Sequence, residues 1–226
     1  MNLRICRPLA IAALVSCILA SAQALAQNAY ITNGFSNTVS VIDTATNTVT
    51  ATIPVGSFPF GVAVTPDGSK VYLPNNGDNT VSVISTATDM VTGSPIPALP
   101  GPFSAAVTAD GSKVYVTNND DRTVSVISTA TNTVIGSPIS VGSGPGGAAV
   151  TPEGDKVYVT NIGDNTVSVI ATATNTVIGS PISVGTAPFG VSIIRPSFAG
   201  TPTFPTVTAS ASRRWRRNMA VSGPWP

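Results

Sequence analysis

The sequence predicts an all-β fold of about four copies of one short antiparallel unit, on three observations. One segment recurs: Tyr30-Ile31-Thr32-Asn33, Tyr72-Leu73-Pro74-Asn75, Tyr115-Val116-Thr117-Asn118 and Tyr158-Val159-Thr160-Asn161 begin 42, 43 and 43 residues apart. A block Thr-Val-Ser-Val-Ile follows each Tyr eight residues on, at Thr38, Thr80, Thr123 and Thr166. Between Gln27 and Pro196 no stretch has helical periodicity, and the apolar residues alternate in period two between turn signals. A fixed period of about 40–45 residues marks repeated supersecondary units that bury their faces against one another.

The unit from Gly61 to Gly101 shows how each element arises. Gly61-Val62-Ala63-Val64 is a small, apolar run, and Thr65-Pro66-Asp67-Gly68 turns the chain back. Lys70 to Leu73 is β-prone, and Asn75-Asn76-Gly77-Asp78-Asn79 is a turn rich in residues that tolerate positive φ. Thr80-Val81-Ser82-Val83-Ile84 alternates polar and apolar, Thr86-Ala87-Thr88-Asp89 reverses the chain again, and Met90-Val91-Thr92 opens a fourth strand before Gly93-Ser94-Pro95. A small four-stranded meander is marginal alone. Its faces carry Val, Ala, Ile, Thr and Ser rather than charge, so both meet neighbouring copies. Radial stacking satisfies that requirement, which makes the expected fold a β-propeller of about four four-stranded antiparallel blades. A β-solenoid is the competing arrangement, with coils usually shorter than this period.

Three whole units run over roughly 61–96, 104–139 and 147–182. Asn28 to Gly56 holds the last three strands of a unit and Gly190-Val191-Ser192-Ile193-Ile194 only the first. The fragments add up to one blade, so pairing of the C-terminal strand with the N-terminal sheet would close a four-blade ring and hide both edges. The alternative is two chains forming eight blades, so monomer and homodimer both stand as expectations.

Residues 1–26 read as a signal peptide: Arg4 and Arg7, an apolar run from Leu9 to Ala20, and Ala24-Leu25-Ala26 as a small-x-small cleavage site. The run is short for a membrane span, so the expected protein is exported and not transmembrane, in the periplasm, outside the cell or on its surface. Leu14-Val15-Ser16-Cys17 also resembles a lipoprotein site, the rival reading being a lipid anchor at Cys17. Both cysteines lie in this segment and the chain has no His, which removes disulfides, Cys and His metal sites and the Ser-His-Asp triad from the expected mature protein. Residues 27–196 carry ten acids against five bases, a net of −5, with no basic stripe for nucleic acid.

The recurrent Tyr-Val-Thr-Asn, Thr123 to Ile127, Thr131-Asn132-Thr133-Val134-Ile135 and Thr151-Pro152-Glu153-Gly154 resemble the YVTN β-propeller repeat family over about residues 28–194. The resemblance implies a propeller, export and a binding or cell-surface role, and carries no shared catalytic residues. The sequence departs from that pattern in keeping the Asp after Val-Ile only at Asp43 and in placing Pro74 where the motif has Thr. Many relatives have about seven blades.

Asp78, Asp121 beside Asp120, and Asp164 occupy the same hairpin in successive units and are weak candidates for a cation site, since Asp and Asn are favoured in tight turns anyway. Asp67, Asp110 and Glu153 recur before Gly in a turn consensus, and the four repeated tyrosines read as packing. Phe58, Phe60, Phe103 and Phe189 precede the innermost strand in Pro- and Gly-rich connections that vary between copies, which is where binding specificity enters a repeat. They are the candidate binding residues; packing between blades is the alternative use. No catalytic residue, metal or cofactor is expected. Residues 197–226 break the pattern, with Arg213-Arg214-Trp215-Arg216-Arg217 in a stretch expected to be irregular. A shifted reading frame would also explain its composition, which the 3′ end of the gene decides.

The expected function is a non-catalytic scaffold for an unknown protein or surface ligand. The rivals are a propeller enzyme of lactonase or dehydrogenase type, and a binder of anionic surfaces or nucleic acid through the arginine-rich tail.

Overall fold

The computed structural model describes residues 27–194. The expected signal peptide with Cys17 and the arginine-rich stretch lie outside the described residues.

Four antiparallel sheets follow one another along the chain, as the repeat predicts. The first blade has three strands, β1 (Asn28–Asn33), β2 (Thr38–Asp43) and β3 (Thr48–Pro54), in that order. The second holds β4 (Ala63–Val64), β5 (Lys70–Asn75), β6 (Thr80–Ser85), β7 (Met90–Val91) and β8 (Ile96–Pro97). The third repeats this as β9 (Pro102–Val107), β10 (Lys113–Asn118), β11 (Thr123–Ser128), β12 (Thr133–Val134) and β13 (Ile139–Ser140). The fourth comprises β14 (Pro145–Val150), β15 (Lys156–Asn161), β16 (Thr166–Ala171), β17 (Thr176–Val177) and β18 (Ile182–Ser183). Neighbouring strands pair in sequence order from the innermost outward, the arrangement of a propeller blade.

The outer strand differs from the simple four-stranded expectation. In blades two to four it is split, both halves pairing with the same third strand: β7 and β8 with β6, β12 and β13 with β11, β17 and β18 with β16. The split falls at Gly-Ser-Pro. Gly93, Gly136 and Gly179 take φ of +71°, +68° and +69°, and the Pro has no N–H for the ladder. Blade one has only Ala51-Thr52 there, one residue fewer, and its β3 runs unbroken. That missing residue is why the first spacing is 42 and the others 43.

The recurrent motif divides its work between strand and interface. Within each blade its Asn closes the second hairpin: Asn75 Nδ2 donates to Thr80 Oγ1 at 3.0 Å and Ser82 Oγ at 2.8 Å, and Asn33, Asn118 and Asn161 do the same. The Tyr reaches into the next blade. Tyr72 Oη donates to Asn132 Oδ1 at 2.6 Å, and Tyr115 Oη to Asn175 Oδ1 at the same distance. Lys70 Nζ joins by donating to Thr129 O at 2.7 Å and Asn132 Oδ1 at 3.2 Å, and Lys113 repeats both bonds on Thr172 and Asn175. Tyr30 finds Asp89 at 3.1 Å. Each acceptor sits in a left-handed turn position, with φ between +50° and +55° for Asp89, Asn132 and Asn175.

Around these bonds three apolar layers form, one per interface. Tyr30, Val39, Val41 and Ile53 of blade one meet Val71, Leu73 and Ile84 of blade two. Tyr72, Val81, Val83 and Ile96 meet Ala105, Val114, Val116 and Ile127. Tyr115, Val124, Val126 and Ile139 meet Val157, Val159 and Ile170. Period-two alternation thus gives every strand one set of side chains for each neighbour.

Of the two arrangements the sequence allows, closure within one chain does not form. Among the described residues Gly190–Ile194 makes no ladder with β1, and is not a strand. Its start is instead held by blade four, where Gly147 N donates to Phe189 O at 3.0 Å and Thr160 Oγ1 to the same carbonyl at 3.0 Å. It therefore takes the repeat position of an innermost strand, and among the described residues the β1 edge has no partner strand.

The Thr-x-Asp turns settle their carboxylates locally. Asp67 Oδ1 accepts from Thr65 Oγ1 at 2.5 Å and Ser69 N at 3.0 Å, and Asp110 repeats this with Thr108 and Ser112. In the third copy Glu153 gives up that role and Asp155 accepts from Thr151 Oγ1 at 2.6 Å. The Thr hydroxyl first, then the Ser amide and hydroxyl, lowers the Asp67 and Asp110 pKa from 3.8 to about 2. Burial pushes the Tyr72 and Tyr115 hydroxyls up to about 12, with Asp67 and Asp110 adding a smaller push.

Two predictions follow from these contacts. Tyr115→Phe removes one inter-blade hydrogen bond in a buried setting and is expected to cost about 1 kcal/mol in urea unfolding. Because the folded pKa of Asp67 and Asp110 lies below the ordinary 3.8, their contribution is complete above that value and lost as pH falls toward 2. Thermal stability is expected to fall as pH drops over that window, and Asp67→Asn with Asp110→Asn to flatten the slope; an unchanged slope counts against the turn assignment.

Candidate functional site

The connections into the innermost strands repeat at 43-residue steps as Phe60-Gly61, Phe103-Ser104, Gly146-Gly147 and Phe189-Gly190. Close approach of these segments dictates their small residues. A Cβ on Gly61 would stand 2.8 Å from Ser104 Cα, and one on Gly147 only 2.6 Å from Phe189 O. Main-chain bonds tie the segments together, Gly61 N donating to Phe103 O at 2.8 Å as Gly147 N does to Phe189 O. The motif threonines brace them further: Thr32 Oγ1 donates to Phe60 O at 2.5 Å and Thr117 Oγ1 to Gly146 O at 2.8 Å. Pro74 has no hydroxyl for this bond, and at that interface the Gly61–Phe103 amide bond remains.

Three phenyl rings close over this floor. Phe60 and Phe103 stack with centroids 4.6 Å apart and an interplanar angle of 27°, and Phe189 meets Phe103 edge-on at 5.4 Å. Both geometries suit the ring quadrupole. The fourth position of the series is Gly146, where a Cβ would lie 2.9 Å from Ile162 Cδ1. Together the rings, Gly61, Ser104, Gly147, Ala148, Gly190 and Val191 line a cavity of about 530 Å³, within the range of small-molecule sites. None of these lining side chains is titratable.

Of the four expected binding residues, three thus come together and one does not. Phe58 pairs with Phe35 at 5.6 Å, away from the cavity lining. It holds φ at +52°, a position occupied by Gly101, Gly144 and Ala187 in the other copies. Its amide is fixed by donating to Asn37 Oδ1 at 3.0 Å. The 43-residue step from Phe60 also picks out Gly61, Ser104, Gly147 and Gly190, which composition alone does not flag.

The three candidate cation ligands serve the hairpins. Asp78 Oδ2 accepts from Ser57 N and Asp164 Oδ2 from Ser143 N, each at 2.6 Å, while Asp121 Oδ2 accepts from Thr123 Oγ1 at 3.0 Å. No group of three or more acidic, Cys or His residues suited to a metal ion is found among the described residues. Nor is any helix there long and apolar enough to cross a membrane.

No family model matches the chain. A PE-PGRS family protein of Mycobacterium tuberculosis, PE_PGRS18, is 64% identical over 39 residues, which is 17% of this chain and 8% of that protein. The matched length is close to one repeat. Among solved structures, Kuenenia stuttgartiensis hydrazine synthase aligns with a TM-score of 0.63 at 25% identity, over 69% of this chain and 46% of that one. A functionally unknown protein from Desulfotomaculum acetoxidans gives 0.60 at 19%, over 72% and 56%. A catalytically inactive virginiamycin B lyase from Staphylococcus aureus, with quinupristin, gives 0.62 at 14%, over 75% and 57%. The chain spans about half the length of these structures, and the likeness establishes a propeller-type repeat fold.

Gly147→Ala is expected to destabilise the protein by about 2 kcal/mol through the close approach of Phe189 O. Gly190→Ala, which meets nothing within 4 Å, is expected to change stability by less than about 0.5 kcal/mol. Urea unfolding of the two variants tests the packing of the cavity floor.

Proposed function

We propose that the chain is an exported, non-catalytic propeller of the YVTN repeat kind that serves as a binding scaffold. Its cradle of Phe60, Phe103 and Phe189 seats an apolar or aromatic group of a ligand or partner. The observation carrying this reading is the cavity of about 530 Å³, walled by stacked phenyl rings and floored by small residues. Such a lining recognises shape and apolar surface, and offers no general acid, base or nucleophile other than Ser104, which has no His or Lys in the lining to activate it. The composition of residues 1–26 supports export, and the Tyr-Val-Thr-Asn recurrence supports the YVTN kind. The enzyme reading draws on neighbours named as a synthase and a lyase, but the 14% identity of the latter speaks to fold alone.

Titration with the apolar fluorophore anilinonaphthalene sulfonate tests the cradle. Saturable binding weakened about tenfold or more by Phe103→Ala, and unaffected by Phe58→Ala, is the expected result. Equal binding by wild type and Phe103→Ala would overturn the assignment.

A further inference from the structure

We infer that the two ends of the blade stack are the two halves of one more interface, and that its occupant is a second copy of this chain. Two copies then close a ring of eight blades.

The three interfaces within the chain follow one plan, in which a forward face carrying Tyr, two Val and Ile meets a backward face of strand apolar residues. Among the described residues, the forward face of blade four and the backward face of blade one meet no other blade. At equivalent positions Ile96 and Ile139 are 3% and 6% exposed, while Ile182 is 46% exposed. Leu73, Val116 and Val159 are fully buried, while Ile31 at the same position of blade one is 46% exposed. Each end is therefore apolar because the repeat makes it so, and each has the shape that the other end's counterpart receives elsewhere in the stack.

The polar clasp is divided the same way. Tyr72 with Lys70, and Tyr115 with Lys113, reach the left-handed Asn and the Thr carbonyl of the next blade's turn. Blade four keeps the donors, Tyr158 and Lys156, but Lys156 turns to its neighbour Asp155 at 3.0 Å and Tyr158 has no such acceptor among the described residues. Blade one keeps the acceptors. Asn47 already holds φ at +54° in the turn after Thr44, matching Asn132 at +53° and Asn175 at +55°. No Tyr or Lys among the described residues reaches it.

A third element agrees. Blade one lacks the innermost strand, and Gly190–Ile194, though not paired as a strand, follows the Phe189 carbonyl that blade four holds, at the repeat position of the innermost strand. In blade two Ala63 stands opposite Tyr72 and Val64 opposite Val71. The same register puts Ser192 of one copy opposite Tyr30 of the second, and Ile193 opposite Ala29. The polarity of the faces makes each contact head-to-tail, and a two-fold axis closes it. The aromatic cradle, now lined from one side only by blades two to four and residues 189–191, would then open onto a channel shared by both copies.

Light scattering of the full chain, together with a mixing experiment, tests this. Twice the mass of one chain is expected; the mass of a single chain, or assemblies growing beyond two, would overturn the closed eight-blade ring. In a Cys6→Ser, Cys17→Ser background, chains with Ala29→Cys are mixed with chains carrying Ile193→Cys and oxidised. A disulfide-linked pair formed only in the mixture supports the interface. No cross-link in the mixture, or a cross-link within a single chain carrying both substitutions, would overturn it. Tyr158→Phe with Lys156→Ala is expected to raise the dimer dissociation constant about tenfold, whereas Tyr115→Phe, inside the stack, leaves it unchanged.

Discussion

The structure depends on one constraint, that a sheet of three to five short strands with two apolar faces is stable only when both are covered. No disulfide is available to the described residues, since both cysteines lie at positions 6 and 17, and the small meander has little core of its own. Cohesion must come from between the sheets. The three layers of Tyr, Val, Ile and Leu supply it, and at roughly 1.5–3 kcal/mol for each fully buried large side chain they outweigh the individual polar contacts. The Tyr–Asn and Lys–carbonyl bonds add direction: apolar faces alone would tolerate sliding, while a hydroxyl aimed at one left-handed Asn fixes blade against blade.

The same constraint explains why the aromatic cradle lies where it does. Toward the innermost strands the blades approach so closely that Gly61 and Gly147 have no room for a Cβ. The large side chains there come from the preceding residue. Phe60, Phe103 and Phe189 fill that role, and the exception at Gly146 lets Phe189 reach across to Phe103. A ring of small residues with a partial ring of large ones leaves a concave, uncharged surface.

Much of this was legible in the sequence because repetition averages away local ambiguity. Four Tyr-x-x-Asn segments with a Thr-Val-Ser-Val-Ile block after each specify the second and third strands and their hairpin, and the ladder pairs Tyr72 with Val83 and Asn75 with Thr80 accordingly. The split outer strand was less legible, since Gly-Ser-Pro reads equally as an end or an interruption until β8 is seen returning to β6. Ring closure was left open between one chain and two for a physical reason: counting strands says that the two ends complement each other, but not that they meet. The site was half legible. Spacing found Phe60, Phe103 and Phe189, but grouped with them Phe58, whose left-handed backbone turns it toward Phe35.

The near identity of the second and third interfaces has a genetic consequence. Lys70 and Lys113 make the same bonds at the same 2.7 and 3.2 Å, and Tyr72 and Tyr115 at the same 2.6 Å. A duplication or excision of 43 residues within this stretch would leave every surviving boundary made of familiar contacts. Such a change would keep each blade-to-blade contact intact while altering the number of blades, whereas blade one, a residue shorter and with Asn28 in place of the lysine, does not interchange with the others in the same way.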